Sequence, residues 1–151
     1  MLNPTEFRPR AVLALSCGLA AFVAASAAGG QTPTPIAYDS ETTIGGVGVA
    51  CSGIGQSKDQ ARWLAYSVRI EFADATGLYL ADETLTLSDP AGTTLLSVSC
   101  KGPWVLLKLP DRRAYRADGQ LAGRSAPPVS ATVKSPEHGQ ARVVLTFPKA
   151  E

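Results

Sequence analysis

Histidine occurs once in this 151-residue chain, at position 138, and that scarcity removes whole classes of chemistry. A catalytic zinc site usually takes three protein ligands rich in histidine, so a single histidine disfavours one. A serine triad would need His138 as its base, yet His138 lies in the turn-like stretch Pro136-Glu137-His138-Gly139 and no G-x-S-x-G elbow occurs. A calcium loop with alternating oxygen ligands around a central glycine is also missing.

An excess of charge of one sign is lacking as well. Removing residues 1–27 would leave twelve basic and twelve acidic residues. Such a balance gives no broad attraction for nucleic acid or anionic lipid, which require clustered Lys and Arg. Arg112, Arg113 and Arg116 do cluster, but three arginines around a turn read as a solvated edge. Long helical periodicity is absent outside the N-terminal segment. That disfavours an α/β fold, whose parallel strands need crossover helices.

What the chain does have begins with its first 27 residues. Arg8 and Arg10 form a positive start, Ala11 to Ala24 is a small and apolar run, and Ala25-Ser26-Ala27 offers an A-x-A cleavage pattern. Residues 1–27 are therefore expected to be a secretory signal peptide, directing the chain to the periplasm or outside the cell. Two rivals stay open: an uncleaved anchor through residues 11–28, and lipid attachment at Cys17 within Leu15-Ser16-Cys17. With the signal removed, no stable membrane span is expected.

Signal removal leaves two cysteines, Cys51 and Cys100, in a compartment where disulfides persist. Pairing is the expectation, with two buried free thiols as the alternative. The bridge would close a loop of about 50 residues, for which chain entropy gives about 4 kcal/mol.

Residues 28–43 are small, polar and proline-bearing, and are expected to form a flexible leader. From residue 44 to 148, turn signals recur at short intervals between strand-length runs. Leu64, Tyr66, Val68, Ile70 and Phe72 alternate with smaller or polar residues, which predicts one hidden face and one wet face. Further runs at 78–87, 93–100, 104–109, 114–118, 129–133 and 141–147 bring the total to seven strands, as in an immunoglobulin-like or prealbumin-like β-sandwich of one domain.

The stretch GGVGVACSGIG, residues 45–55, resembles a phosphate-binding loop only in its glycines. Gly48 and Gly53 have the P-loop separation, but Ile54 stands where the lysine must be. Cys51 takes the place of the third glycine of a dinucleotide fingerprint. Glycines that permit positive φ where a chain enters a sandwich explain the stretch better.

Carboxylate pairs are the remaining enzymatic option. Asp82 and Glu83 adjoin on an expected strand and so point to opposite faces, while Asp89 precedes Pro90 in a turn where it would bond its own backbone. Aromatic platforms for sugars could come from Trp63, Tyr66, Tyr79, Trp104 or Tyr115. Trp104 opens the apolar run WVLL and is expected to be buried with its indole N–H bonded, leaving Trp63 as the surface ring. Trp63 and Trp104 are the two possible ligand contacts. No catalytic residue, metal ligand or cofactor is expected.

Gly53-Ile54-Gly55, LAYSVRIEFA at 64–73, GLYLADETLTLSD at 77–89, CKGPWVLLKLP at 100–110 and GQARVVLTFP at 139–148 together resemble the bacterial exported carboxypeptidase regulatory-like domain proteins. The resemblance spans about residues 45–148. It implies a transthyretin-like (prealbumin-like) β-sandwich that is accessory to enzymes and carries no zinc or catalytic residues. Two departures are Asp111-Arg112-Arg113 before Ala114-Tyr115, and Glu83 where an apolar residue is usual. The expected task is a non-enzymatic binding or structural role in the envelope, with an envelope protein or a glycan as partner.

Overall fold

The computed structural model describes residues 31–123 and 127–148, so the expected signal peptide lies outside the described residues. Among the described residues ten strands follow one another: β1 (Thr34–Ile36), β2 (Glu41–Ile44), β3 (Val47–Ser52), β4 (Val68–Asp74), β5 (Glu83–Ser88), β6 (Thr94–Cys100), β7 (Trp104–Lys108), β8 (Tyr115–Leu121), β9 (Val129–Val133) and β10 (Ala141–Phe147). One sheet has the order β1-β6-β5-β8-β9, the other β10-β4-β7-β3-β2. The edge pairs β1–β6 and β10–β4 are parallel, and the remaining pairs are antiparallel. Among the described residues the helical turns are two 3₁₀ segments, Gly55–Asp59 and Ala61–Ala65.

A single apolar core joins the two sheets. Leu85, Leu87, Val98 and Ala117 come from one sheet, and Val49, Ile70, Phe72 and Leu107 from the other. The period-two pattern is clean on β5, where Leu85 and Leu87 are buried and Thr84 and Thr86 are half-buried. It breaks on β7, where Trp104 to Leu107 are all buried. The reason is position: β7 lies at the centre of its sheet, and Trp63 and Tyr66 cover Leu106 and Ala50 on its outer side.

Several boundaries differ from the sequence expectation. The strand predicted from Leu64 begins only at Val68, because Ala61–Ala65 winds into a 3₁₀ turn that places Trp63 and Tyr66 on the outer face of the sheet. Leu64 is left exposed. The strand predicted from Leu78 begins at Glu83, with Leu78 and Tyr79 exposed in the preceding loop. Residues 34–36 and 41–43, expected within a flexible leader, belong to β1 and β2.

Gly45 and Gly46, with φ of 57° and 77°, turn β2 into β3. Two successive positive φ angles are what a two-residue hairpin of matching twist demands, and glycine meets that demand without strain. Gly119 lies within β8; a Cβ there would stand 2.5 Å from Leu145 Cδ1 and 2.8 Å from Phe72 Cε1. The bare backbone lets the sheets approach.

Cys51 on β3 and Cys100 on β6 are disulfide-bonded, with Cα atoms 5.6 Å apart and a sequence separation of 49. The bond therefore ties one sheet to the other. No helix among the described residues is long and apolar enough to cross a membrane.

Candidate functional site

The polar cluster with the most unspent chemistry lies on the outer face of the sheet containing β4 and β10. Arg69 and Glu71 point outward from β4, on the face opposite Ile70 and Phe72. Parallel pairing sets Arg142 beside Arg69 and Val144 beside Glu71, while Trp104 on β7 lies beside Glu71 from the other side.

Tyr79 joins from the loop after β4. Asp74 organises that loop by accepting from the Thr76 and Leu78 amides at 2.8 and 3.0 Å, and the Leu80 amide returns to the Phe72 carbonyl at 2.9 Å. The chain is folded back, and the Tyr79 hydroxyl donates to Glu71 Oε2 at 3.1 Å.

Glu71 is fully buried at the centre of the cluster. Arg142 grips it with two bonds, Nε to Oε1 at 2.8 Å and NH2 to Oε2 at 2.6 Å. Arg69 Nε lies 2.8 Å from Oε1 as an ion pair, without the alignment of a hydrogen bond. Burial is the largest influence on the Glu71 carboxyl and pushes its pKa upward. Hydrogen bonds from Arg142 and Tyr79, with the charges of Arg69 and Arg142, outweigh it and hold the group below its ordinary range. The same pairing pushes Arg142 upward.

One carboxylate against two guanidinium groups leaves a net charge of +1. The Arg69 guanidinium stacks 4.4 Å over the Trp104 ring, and Tyr79 meets that ring at 80° with centroids 6.2 Å apart. Sequence reasoning missed this assembly because Glu71 and Arg142 are 71 positions apart. The available signal was the placement of Arg69, Glu71 and Arg142 on the non-core faces of two alternating strands. The face of β4 expected to be wet is largely covered.

Both tryptophans depart from expectation. Trp63, expected as the surface ring, is buried; its indole N–H donates to the Ser57 carbonyl at 2.7 Å and Arg62 stacks on it at 4.0 Å. Trp104 is buried as expected, but its indole N–H has no hydrogen-bond partner among the described residues. Neither offers an open ring to a sugar. Tyr66 donates to Glu41 Oε2 at 2.6 Å and Tyr115 to Asp111 Oδ1 at 2.8 Å, both from buried positions. Tyr79, 49 % exposed, is the most open of these five aromatics.

The acids divide. Asp89 accepts from the Ala91 and Thr93 amides, each at 2.9 Å, in the backbone-bonded turn expected of it. Asp82 and Asp89 flank the two ends of β5, about 20 Å apart by strand rise, too far to act across one glycosidic bond. Asp82 adopts a left-handed φ of 59°. Glu83 shares the core-facing side of β5 with Leu85 and Leu87, is 1 % exposed, and has no hydrogen-bond partner for either carboxyl oxygen. Burial pushes its pKa up to about 9, with the Asp82 charge adding to the effect. The carboxyl is therefore protonated at neutral pH.

A concavity of about 440 Å³ opens beside Asp82 and Glu83, between Pro35–Tyr38, Asp82–Thr84 and Ser99–Lys101. The arginines of the β7–β8 region are each paired: Arg112 with Glu137, Arg113 with Asp111 and Arg116 with Asp118. They form the solvated edge that the sequence indicated. His138 is exposed, and among the described residues no three His, Cys, Asp or Glu side chains converge as a metal would require.

No protein family and no curated protein sequence matches this chain.

Proposed function

We propose that this chain is an exported, non-enzymatic β-sandwich module of the bacterial envelope, of the prealbumin-like or immunoglobulin-like kind, with a binding role centred on the outer face of β4 and β10. The single observation that carries the binding reading is the Arg69–Glu71–Arg142 cluster: a net positive charge, held rigidly on a sheet face, with guanidinium donors left over. Export is supported by the inter-sheet bridge between Cys51 and Cys100, a bond that suits an oxidising compartment.

The carbohydrate reading shifts from the buried tryptophans to Tyr79. A small hydrolase using Asp82 or Asp89 is disfavoured by their separation along β5. Co-sedimentation with purified bacterial envelope, together with a broad hydrolase screen, tests the proposal. The expected result is salt-sensitive retention on the envelope with every substrate intact. Turnover lost in Asp82→Asn, or no retention at low salt, would overturn it.

A further inference from the structure

The geometry points to a carboxylate-bearing sugar, of the uronic acid type, as the ligand of the outer face of β4 and β10. This inference rests on the binding reading above and adds the chemical class. Charge comes first. Glu71 would be neutralised by one arginine, yet two converge on it. Arg142 spends Nε and one N–H of NH2 on Glu71 and also interacts with the Tyr79 hydroxyl, while NH1 is not engaged by that carboxylate. Arg69 likewise meets it through Nε and not through its terminal nitrogens. Arg142 is 56 % exposed and Arg69 27 %, so these donors can reach a ligand.

Pre-organisation comes second. Arg69 is held between the Trp104 ring and Glu71, and Arg142 is clamped by two bonds to the same carboxylate. Little side-chain freedom remains to be lost when an anion binds, which favours affinity. A single surplus positive charge suits a monoanionic carboxylate better than a dianionic phosphate. The planar donors of arginine match the two oxygens of a carboxylate.

The surroundings choose a sugar over a peptide. Tyr79 is half exposed, and its hydroxyl meets Arg142 NH2 at one oxygen of Glu71, so its ring stands next to the charge. Val144, 38 % exposed, is the register neighbour of Glu71 on β10. An aromatic ring and an aliphatic side chain beside a guanidinium pair present an apolar surface to a pyranose face and donors to its carboxylate. A peptide strand would instead seek backbone partners along the edge of β10.

Calorimetric titration of the full chain with a galacturonic acid trimer is the test. Its companions are the methyl-esterified trimer, neutral galactose trimer, and a tripeptide with a free C-terminus. The acidic trimer is expected to bind at least about tenfold more tightly than its ester, the span of one charge-assisted bond, and to weaken as salt rises. Val144→Asp places a like charge beside the site from an exposed position and should weaken binding about tenfold or more while leaving the unfolding midpoint little changed. Tyr79→Phe should retain binding and Tyr79→Ser should lose it.

Equal binding of acid and ester, tighter binding of the tripeptide, or no heat at about 10 mM trimer would overturn the inference. Failure with the sugar alongside salt-sensitive envelope retention would remove the ligand class alone. Loss of envelope retention would remove the binding role itself.

Discussion

Replacing Glu83 by leucine should make the protein more stable, and the gain should grow with pH. In the folded chain the carboxyl is pushed up to about 9, against an ordinary value of 4.5. Unfolding exposes it to water, where it ionises above that ordinary value. Between the two values the folded state holds a proton that the unfolded state has released, so stability falls as pH rises, by about 1.4 kcal/mol per pH unit. The accumulated loss is about 3 kcal/mol at pH 7 and about 6 kcal/mol near pH 9. Below about pH 4.5 both states are protonated and this contribution vanishes.

Leucine has no proton to lose and fits the row formed with Leu85 and Leu87. Urea unfolding of the parent and of Glu83→Leu at pH 5, 6, 7 and 8.5 measures the difference directly. Unchanged denaturant slopes would certify that the unfolded state is comparable. The gap between the two proteins should widen steadily across this range, and Glu83→Gln should also flatten the pH dependence. A gap that stays constant from pH 5 to 8.5 would refute the reasoning, because it would mean that Glu83 is solvated or paired in the folded protein.

Three other perturbations have defined outcomes. Glu71 titrates in the opposite sense: its folded pKa is lowered, so its stabilisation is present above the ordinary carboxyl value and disappears as pH falls through the folded one; Glu71→Gln should remove this acid limb and cost about 1–3 kcal/mol at neutral pH, the partly exposed arginines regaining water, read by the same unfolding series. With Glu83 acting from the alkaline side, the parent should be most stable near pH 4–5. Replacing Cys51 and Cys100 together by serine should lower stability by about 4 kcal/mol in urea unfolding, the entropy of the released loop. Gly119→Ala should cost about 1–3 kcal/mol, since its methyl group would press on the buried Leu145 and Phe72 side chains, and thermal unfolding will show whether it does.

Much of the all-β architecture could be read before any coordinates. Val129–Val133 and Ala141–Phe147 form strands at the expected bounds, because alternation and flanking turn residues agree there. Leu64 and Tyr66 misled because they continue the alternation of β4 by two steps, whereas burial of Trp63 and Tyr66 against Ala50 and Leu106 selects a 3₁₀ turn. Tertiary contact overrode local pattern. Glu83 stood out in the sequence as a charged residue in an apolar place, and the structure gives that departure a physical content: a buried carboxyl without partners. The Glu71 cluster was not legible, since it depends on the parallel register that sets Arg142 beside Arg69. Nothing local encodes that pairing.

The glycine-rich stretch 45–55 also changes meaning. Its first two glycines make the β2–β3 hairpin, and its cysteine becomes one half of the bond between sheets. Mass spectrometry of the chain recovered from the periplasm of an expressing bacterium, digested without reductant, tests the central claim most directly. An exported module with a stapled core should begin at Ala28 and yield one disulfide-linked peptide pair containing Cys51 and Cys100, with neither thiol alkylatable before reduction. A chain that stays in the cytoplasm with residues 1–27 attached, or one with both thiols freely alkylated, would contradict it.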